Sequence, residues 1–541
     1  MIILIAILVV LSVFSQKLLP SDLYPFALLM IGISLLFHSS LISSYIVPFG
    51  SDIPGEFLLF QNTLNDFQWN QLFSPSMGYT LLNTYNNMLS ITILPTVYST
   101  LLNIDSFLMF KVLYPLIFSL IPLVLYQVWQ YFIDKKYAFI AAFFFMAQNT
   151  FYTEMLGLSR QIIAELFFVL LLFIILHKNI KPITKMICFV VFSFGLVTAH
   201  YSLALIFLFF ISATLVFYII TKRPTMKISI TMVLIFFVIM FTWYIYTSGS
   251  ASFITLMEKG EFVVSMLGDF FNPASRGDTV LTGLGLAESP SIFNTISRII
   301  AYVLQGFIIV GFLGLVTNLK KIRTEFFVFG IIATLFLGML IIIPGLANTL
   351  NMTRFYHILL FFLAPLCILG ARLIVKLITK RQKEFAVCAL LLFVLVPYFF
   401  FQTNFVYEIT GNDSWSIPLS GYRMDPLRLY GHSGYTDEYS VHGVRWLSKN
   451  VNFTTSVVYA DDRTGTNVLT IHGLIATGKV ALSNVTVVAD NGFVYLSSLN
   501  VIYGLIPYRD VSWNTTELSP VFEGLNLVYS NGGSKIYVNT P

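Results

Sequence analysis

The sequence predicts a polytopic α-helical membrane protein of about twelve transmembrane helices, with a small C-terminal α/β or α+β domain outside the bilayer. Three observations predict it. The 541 residues are 57% hydrophobic and 11% charged, with a mean hydropathy of +0.81, whereas soluble chains are about 25% charged. The apolar residues come in runs suited to crossing a bilayer. Lysine and arginine gather in alternate loops, the pattern that orients such runs.

Taken in order, the runs are 1–15, 24–46, 107–131, 137–153, 160–177, 183–199, 202–221, 226–247, 297–318, 325–346, 353–378 and 384–402. The first has no basic leader and no small-residue cleavage site, so it reads as a span rather than a signal peptide. Basic residues mark one side: Lys17, Lys135-Lys136, Lys178 through Lys185, Lys222-Arg223 with Lys227, Lys320-Lys321-Arg323, and Lys376 through Lys383. The loops 47–106 and 248–296 and the tail after 402 are poor in these residues, which places them outside. Two domains follow, a membrane part over 1–402 and an extracytoplasmic part over 403–541.

The external segments have patterns of their own. Phe57, Phe60, Leu64 and Phe67 recur at helical spacing, which predicts an interfacial helix lying on the membrane. A second interfacial helix is expected near 252–271. In the tail, a helix is expected from Asp437 to Lys449. Strands are expected at Ser456–Ala460, Val485–Ala489, Ser498–Ile506, Leu525–Ser530 and Lys535–Asn539, with Asn531-Gly532-Gly533-Ser534 turning a terminal hairpin. Sequons at Asn412, Asn452, Asn484 and Asn514 suit an external tail.

Composition also excludes some roles. The net charge of +5 is spread over short loop clusters and forms no basic face, so nucleic acid is not an expected partner. Cys188, Cys367 and Cys388 lie in apolar runs and show neither a disulfide framework nor metal-site spacing. No Gly-rich phosphate loop, Walker motif, zinc signature or nucleophile elbow is present.

The candidate chemistry lies where the chain leaves the second span, in Gly50-Ser51-Asp52-Ile53-Pro54-Gly55-Glu56. From Val47 to Met109 there is no Lys or Arg, so Asp52 and Glu56 have no local counter-charge. Such a pair can deprotonate an acceptor or share a hard cation such as Mg²⁺ or Mn²⁺. It can equally be a helix cap with an acidic first turn, which Pro54 suits. Glu154 follows the fourth run and can complete a metal site with Asp52. Arg160 and Gln161 open the fifth run, with Glu165 a turn deeper, as phosphate-binding groups or as a structural pair. His200 and Tyr201 mark a tight external turn. Arg354 and His357 open the eleventh run on the outer side, where an arginine departs from the charge rule. A guanidinium fork there suits a lipid phosphate or pyrophosphate, or snorkels to headgroups.

A many-span domain, an acidic motif in the first large external loop and a soluble C-terminal domain together resemble the glycosyltransferase-C superfamily. Asp52-Ile53-Pro54-Gly55-Glu56, Ser159-Arg160-Gln161 through Phe167, Ala199-His200-Tyr201-Ser202, Arg354-Phe355-Tyr356-His357 and Trp446-Leu447-Ser448-Lys449-Asn450 look like a family of archaeal membrane proteins related to it. The resemblance implies a membrane glycosyltransferase that moves a sugar from a polyprenyl-phosphate donor to a glycan, lipid or protein acceptor at the extracytoplasmic face. It implies Asp52 as catalytic base or metal ligand; Glu56, the nearest second carboxylate, is expected to assist it. The chain departs from the adjacent Asp-Glu pair of O-mannosyltransferases. It also lacks the Asp-any-Asp and Trp-Trp-Asp signatures of oligosaccharyltransferases, which leaves metal dependence open and argues against whole-glycan transfer to asparagine. The competing expectation is a transporter or flippase of lipid-linked glycans using Arg160 and Glu165, although no related halves or broken helices are visible. A surface scaffold whose tail binds partners is a third.

Overall fold

Each predicted run folds as a helix. The computed structural model describes all residues except 16, 18, 70–83, 178, 223–226, 248–250, 318–324, 382, 454, 510 and 541. Lys178, Arg223, Lys320, Lys321 and Arg323 of the basic loops lie outside the described residues. The helices are α1 (Ile2–Phe14), α2 (Tyr24–Ser40), α3 (Ile53–Asp66), α4 (Ile93–Leu102), α5 (Ser106–Trp129), α6 (Lys135–Met146), α7 (Ser159–Leu176) and α8 (Pro182–Ala199). They continue with α9 (Tyr201–Ile220), α10 (Ile230–Tyr246), α11 (Ala251–Met266), α12 (Ile292–Val316), α13 (Glu325–Ile342), α14 (Met352–Thr379) and α15 (Glu384–Gln402).

Nine of the described helices are long and apolar enough to cross a membrane: α2 together with the helical turn that leads into it (Ser21–Ser40), α5, α7, α8, α9, α12, α13, α14 and α15. Three expected spans are shorter. α1, α6 and α10 have 13, 12 and 17 residues, against the roughly 20 that a bilayer core requires. α6 is buried at every position from Tyr137 to Met146, so its apolar run reflects contact with other helices on all sides rather than lipid.

Close helix contact depends on two glycines. A Cβ on Gly370 of α14 would stand 1.8 Å from the Phe307 carbonyl oxygen of α12, and one on Gly311 would stand 2.1 Å from that of Leu366. Small residues let membrane helices approach backbone to backbone. Gly370→Val is therefore expected to cost at least the about 1–3 kcal/mol of ordinary overpacking and to lower the monodisperse fraction in detergent chromatography. Wild-type recovery and melting for this variant would contradict the packing argument.

α3 is not the surface helix its periodicity suggested. Phe57 and Phe60 are buried, but so are Ile53, Leu58 and Leu59 on other sides. Phe57 stacks on Phe107 at 5.0 Å and meets Phe110 edge-on at 5.4 Å. Phe67, expected on the apolar face, sits past the helix end in a left-handed conformation (φ 52°) and is 91% exposed. The pattern identified a helix correctly and misjudged its surroundings, because membrane helices and the tail enclose its first half.

In the tail, α16 (Glu438–Asn450) is capped by Asp437, whose carboxylate accepts from Ser440 N. The strands are β1 (Val458–Ala460), β2 (Lys479–Ala481), β3 (Phe493–Leu496), β4 (Leu505–Tyr508), β5 (Val511–Asn514), β6 (Asn526–Ser530) and β7 (Lys535–Val538). One mixed sheet runs β2-β1-β3-β7-β6, and β4-β5 form a separate hairpin. The strand expected at Val485–Ala489 is absent: Val485 and Val487 are 80% and 85% exposed with no strand to pair with. Ser498–Ile506 divides into a helical turn, Ser498–Val501, and the start of β4. β2, β3 and β5, of three or four residues each, are too short for alternation to mark.

The tail rests on the membrane domain beside α3. Ile471 joins the membrane-domain core, and His472 stacks on Phe107 at 5.5 Å. Before α3, Phe49 N donates to Ser433 O at 2.9 Å. The first helix of the acidic loop is thus held from both sides.

Candidate active site

Three elements far apart in sequence meet at the start of α3. The loop 47–52 brings Asp52, the N-terminal turn of α7 brings Arg160, and that of α14 brings Arg354. A short 3₁₀ turn, Glu154–Gly157, packs against the loop and adds Glu154. Gly157 makes this approach possible, because a Cβ there would lie 2.3 Å from Pro48 O and 2.6 Å from Ser51 Cβ. Ser51 Oγ then donates to Glu154 O at 3.0 Å.

The charged side chains form one alternating row, Glu56–Arg160–Asp52–Arg354–Glu154. Arg160 Nη1 donates to Glu56 Oε1 and Nη2 to Asp52 Oδ2, both at 2.7 Å. Arg354 Nη1 donates to the same Asp52 Oδ2 at 2.9 Å, and its Nε to Glu154 Oε1 at 2.7 Å. Glu154 also accepts from Thr353 Oγ1 at 2.7 Å and Asn351 Nδ2 at 3.2 Å. Ser159 N closes the far end on Glu56 Oε2 at 2.8 Å. Three carboxylates face two guanidiniums, so opposite charges neighbour one another throughout.

Accessibility separates the roles. The Asp52 side chain is 31% exposed, those of Arg354 and Glu154 18%, that of Arg160 5% and that of Glu56 0%. Asp52 occupies the N-cap position of α3, yet its carboxylate makes no capping hydrogen bond. It turns to the arginines through Oδ2, and Oδ1 makes no hydrogen bond among the described residues. Glu56, expected to be catalytic, is sealed away from any acceptor and serves to hold Arg160. Arg160 is also too enclosed for direct phosphate contact, since Tyr85 covers its guanidinium face at 3.9 Å. Arg354 keeps Nη2 free of any partner among the described residues.

Burial raises the Asp52 carboxyl, but the Arg160 and Arg354 charges outweigh it and leave the group below its ordinary range. Glu56 shows the opposite balance: burial pushes it up to about 7 against the pull of Arg160. Folding thus raises the Glu56 pKa from 4.5 to about 7. Its contribution to stability is complete below pH 4.5 and is lost as pH rises through about 7. Glu56→Gln is expected to flatten that part of the unfolding midpoint against pH in detergent. An unchanged slope would show that another group is responsible.

The remaining expected residues are not brought into the row. His200 caps α9, its Nδ1 accepting from Ser202 N at 3.1 Å and Leu203 N at 3.4 Å. Burial and the nearby Arg160 charge hold it well below the usual imidazole range. Tyr201 stacks on His200 at 5.6 Å. Gln161 donates to Glu165 at 2.9 Å. His357 is fully buried beside Glu165, with Nε2 3.3 Å from Oε2, and Phe118, Phe145, Phe151 and Phe361 surround its ring. A substrate cannot reach it there. Gln161, Glu165 and His357 tie α7 to α14, the two helices that carry Arg160 and Arg354.

The donor set fits guanidinium rather than a divalent cation. Asp52 and Glu154 share Arg354 between them, and no group of three His, Cys, Asp or Glu side chains is placed to hold a metal among the described residues. Sequence reading missed Tyr85, Gly157 and Thr353, and gave Ser159 and Asn351 no role of their own. Only Asn351 carried a local signal, an asparagine before a helix, where it adopts φ 58°.

Comparison with known proteins agrees with this architecture. The chain is similar to the crystal structure of ArnT from Cupriavidus metallidurans bound to undecaprenyl phosphate, with TM-score 0.50 and 10% identity over 97% of this chain and 98% of that one. It is also similar to arabinofuranosyltransferase AftD from Mycobacteria, with TM-score 0.49 and 10% identity over 98% of this chain and 40% of that one. No curated protein matches. At this identity the likeness to ArnT shows the fold alone, a many-span helical domain with a small strand-containing C-terminal domain. The family model described as "Predicted membrane protein (DUF2206)" matches residues 185–537, and the chain, a multi-pass membrane protein, belongs to that family.

Proposed function

We propose that this protein transfers a sugar from a polyprenyl-phosphate donor to an acceptor hydroxyl, with Asp52 as base, at the extracytoplasmic end of the bundle. The observation that carries the reading is the Asp52 carboxylate: Oδ2 is fixed by two arginines, while Oδ1 is exposed and unbonded. The fold of a protein solved with undecaprenyl phosphate supports the donor class.

In this reading the acceptor hydroxyl approaches Oδ1 and attacks the anomeric carbon. The proton passes to Asp52 as the new glycosidic bond forms. The bond from the anomeric carbon to the phosphate oxygen breaks, and its electron pair leaves with the prenyl phosphate. Arg354, fixed by Glu154 and partly exposed, offers Nη2 to the phosphate whose charge grows in the transition state. Drawing Arg354 toward phosphate also weakens its hold on Asp52, which raises the basicity of the carboxylate when a donor is present. Arg160 and Glu56 keep the carboxylate in place from the buried side. No step uses a metal.

The donor side is tested with the detergent-purified protein and undecaprenyl phosphate. Arg354→Ala is expected to weaken binding by about tenfold to a hundredfold, the effect of losing a hydrogen bond to a charged group. Equal affinity in the variant, or no binding to wild type, would refute the assignment.

A further inference from the structure

The tail has a ligand-site topology that the chemistry above does not use. β1 is parallel to both β2 and β3 and lies between them. After β1 the chain passes to the sheet face where Val468 and Leu469 pack with Val444 and Leu447 of α16. After β3 it passes to the opposite face, where Val501 and Ile506 pack with Leu496 and Leu518. Neighbouring parallel strands whose connections leave to opposite faces open a crevice at their carboxyl ends, the place where open α/β sheets bind ligands.

A cleft lies there, lined by Tyr430, Tyr435, Arg463, Thr464, Asn467 and Ser497 among others. Its floor is rigid. Thr464 Oγ1 and Ser497 Oγ meet at 2.8 Å and join the ends of the two strands. The fully buried Asp461 accepts from Arg463 N, Thr464 N and Asn500 Nδ2 at 3.1, 2.8 and 2.9 Å. The Asn467 amide and Arg463 guanidinium, by contrast, make no hydrogen bond or ion pair among the described residues. Tyr430 and Tyr435 meet edge to face at 5.6 Å. Free amide and guanidinium donors, hydroxyls and aromatic rings, with no carboxylate on the wall, suit a polyhydroxylated ligand: the donors meet ring hydroxyls and the tyrosines meet the apolar sugar face.

The cleft adjoins the loop that leads to Asp52. Gly434 (φ +74°) is the spacer, because a Cβ there would stand 2.8 Å from Pro48 Cδ and 2.9 Å from Asn467 Nδ2. Pro48 is four residues before Asp52. We propose that the crevice between β1 and β3 binds the carbohydrate part of the acceptor, and so presents its end to Asp52. This inference rests on the glycosyltransferase reading for its purpose and on the tail alone for its binding.

The test uses the full chain in detergent and a panel of soluble oligosaccharides of two to six sugars, neutral and uronate-containing, read by saturation-transfer NMR and titration. At least one member is expected to bind, and Arg463→Ala and Asn467→Ser are each expected to weaken it fivefold or more. Their melting and undecaprenyl phosphate binding should remain as in wild type. Absence of binding across the panel, or binding indifferent to both substitutions, overturns the inference even if Asp52-dependent transfer persists. Oligosaccharide binding that survives in a protein without transferase activity would support the crevice and refute the reading of the charged row instead.

Discussion

Asp52→Asn is expected to lower sugar transfer by about 10²–10⁴-fold, the contribution of a positioned general base. Asparagine keeps the shape of the side chain and can still accept from Arg354 and Arg160 through its carbonyl oxygen, so the row should persist. Undecaprenyl phosphate binding should therefore change much less than turnover. Glu154→Gln, which weakens only the support of Arg354, should give a smaller loss, read mainly as a higher KM for donor. Membranes carrying Asp52→Asn at wild-type abundance and transferring sugar at near-normal rate would remove Asp52 from the chemistry.

Arg160→Met is expected to have the largest effect on stability. It leaves Glu56, which has no solvent contact, without the guanidinium that Oε1 bonds and that favours its ionised form. Removing one partner of a buried pair costs about 3–5 kcal/mol. The loss should appear as a lower melting temperature in detergent and reduced recovery. Glu56→Gln combined with Arg160→Met should restore part of that stability, since no buried carboxyl remains to be protonated, without restoring transfer, since Asp52 has lost one of its two fixing groups. Independent, additive effects of the two substitutions would show that they are not coupled. Arg354→Ala should cost less stability, because Asp52 and Glu154 both reach solvent.

The two results separate the roles along the row. In the proposed mechanism an exposed carboxylate oxygen meets the substrate, and a buried carboxylate holds the arginine that aims it. Sequence spacing alone treated Asp52 and Glu56 as equivalent members of a pair. They lie four residues apart on one helical turn, but the Asp52 side chain is 31% exposed and that of Glu56 is fully buried. That difference comes from the N-terminal turn of α7, whose Ser159 N and Arg160 guanidinium hold Glu56, and nothing near Glu56 in sequence encodes it.

What the sequence determined by itself were features set by local composition and period. Every predicted apolar run became a helix, because a run without charges has no other way to satisfy its backbone in lipid. The tail's helix, its terminal hairpin and the helix after Asp52 were legible for the same local reasons, as were Asp52, Glu154, Arg160 and Arg354 as charges at span ends. The tertiary structure alone decided which charges meet. Asp52 and Arg354 are bonded across 302 positions and Glu154 and Arg354 across 200, separations over which pattern carries no information. It also decided which runs are short inner helices, that Glu56 and His357 are buried, and that β1 lies parallel between β2 and β3 in the tail's sheet. These depend on what packs against each residue, and burial by a distant segment leaves no mark on the residue's own neighbourhood in the chain.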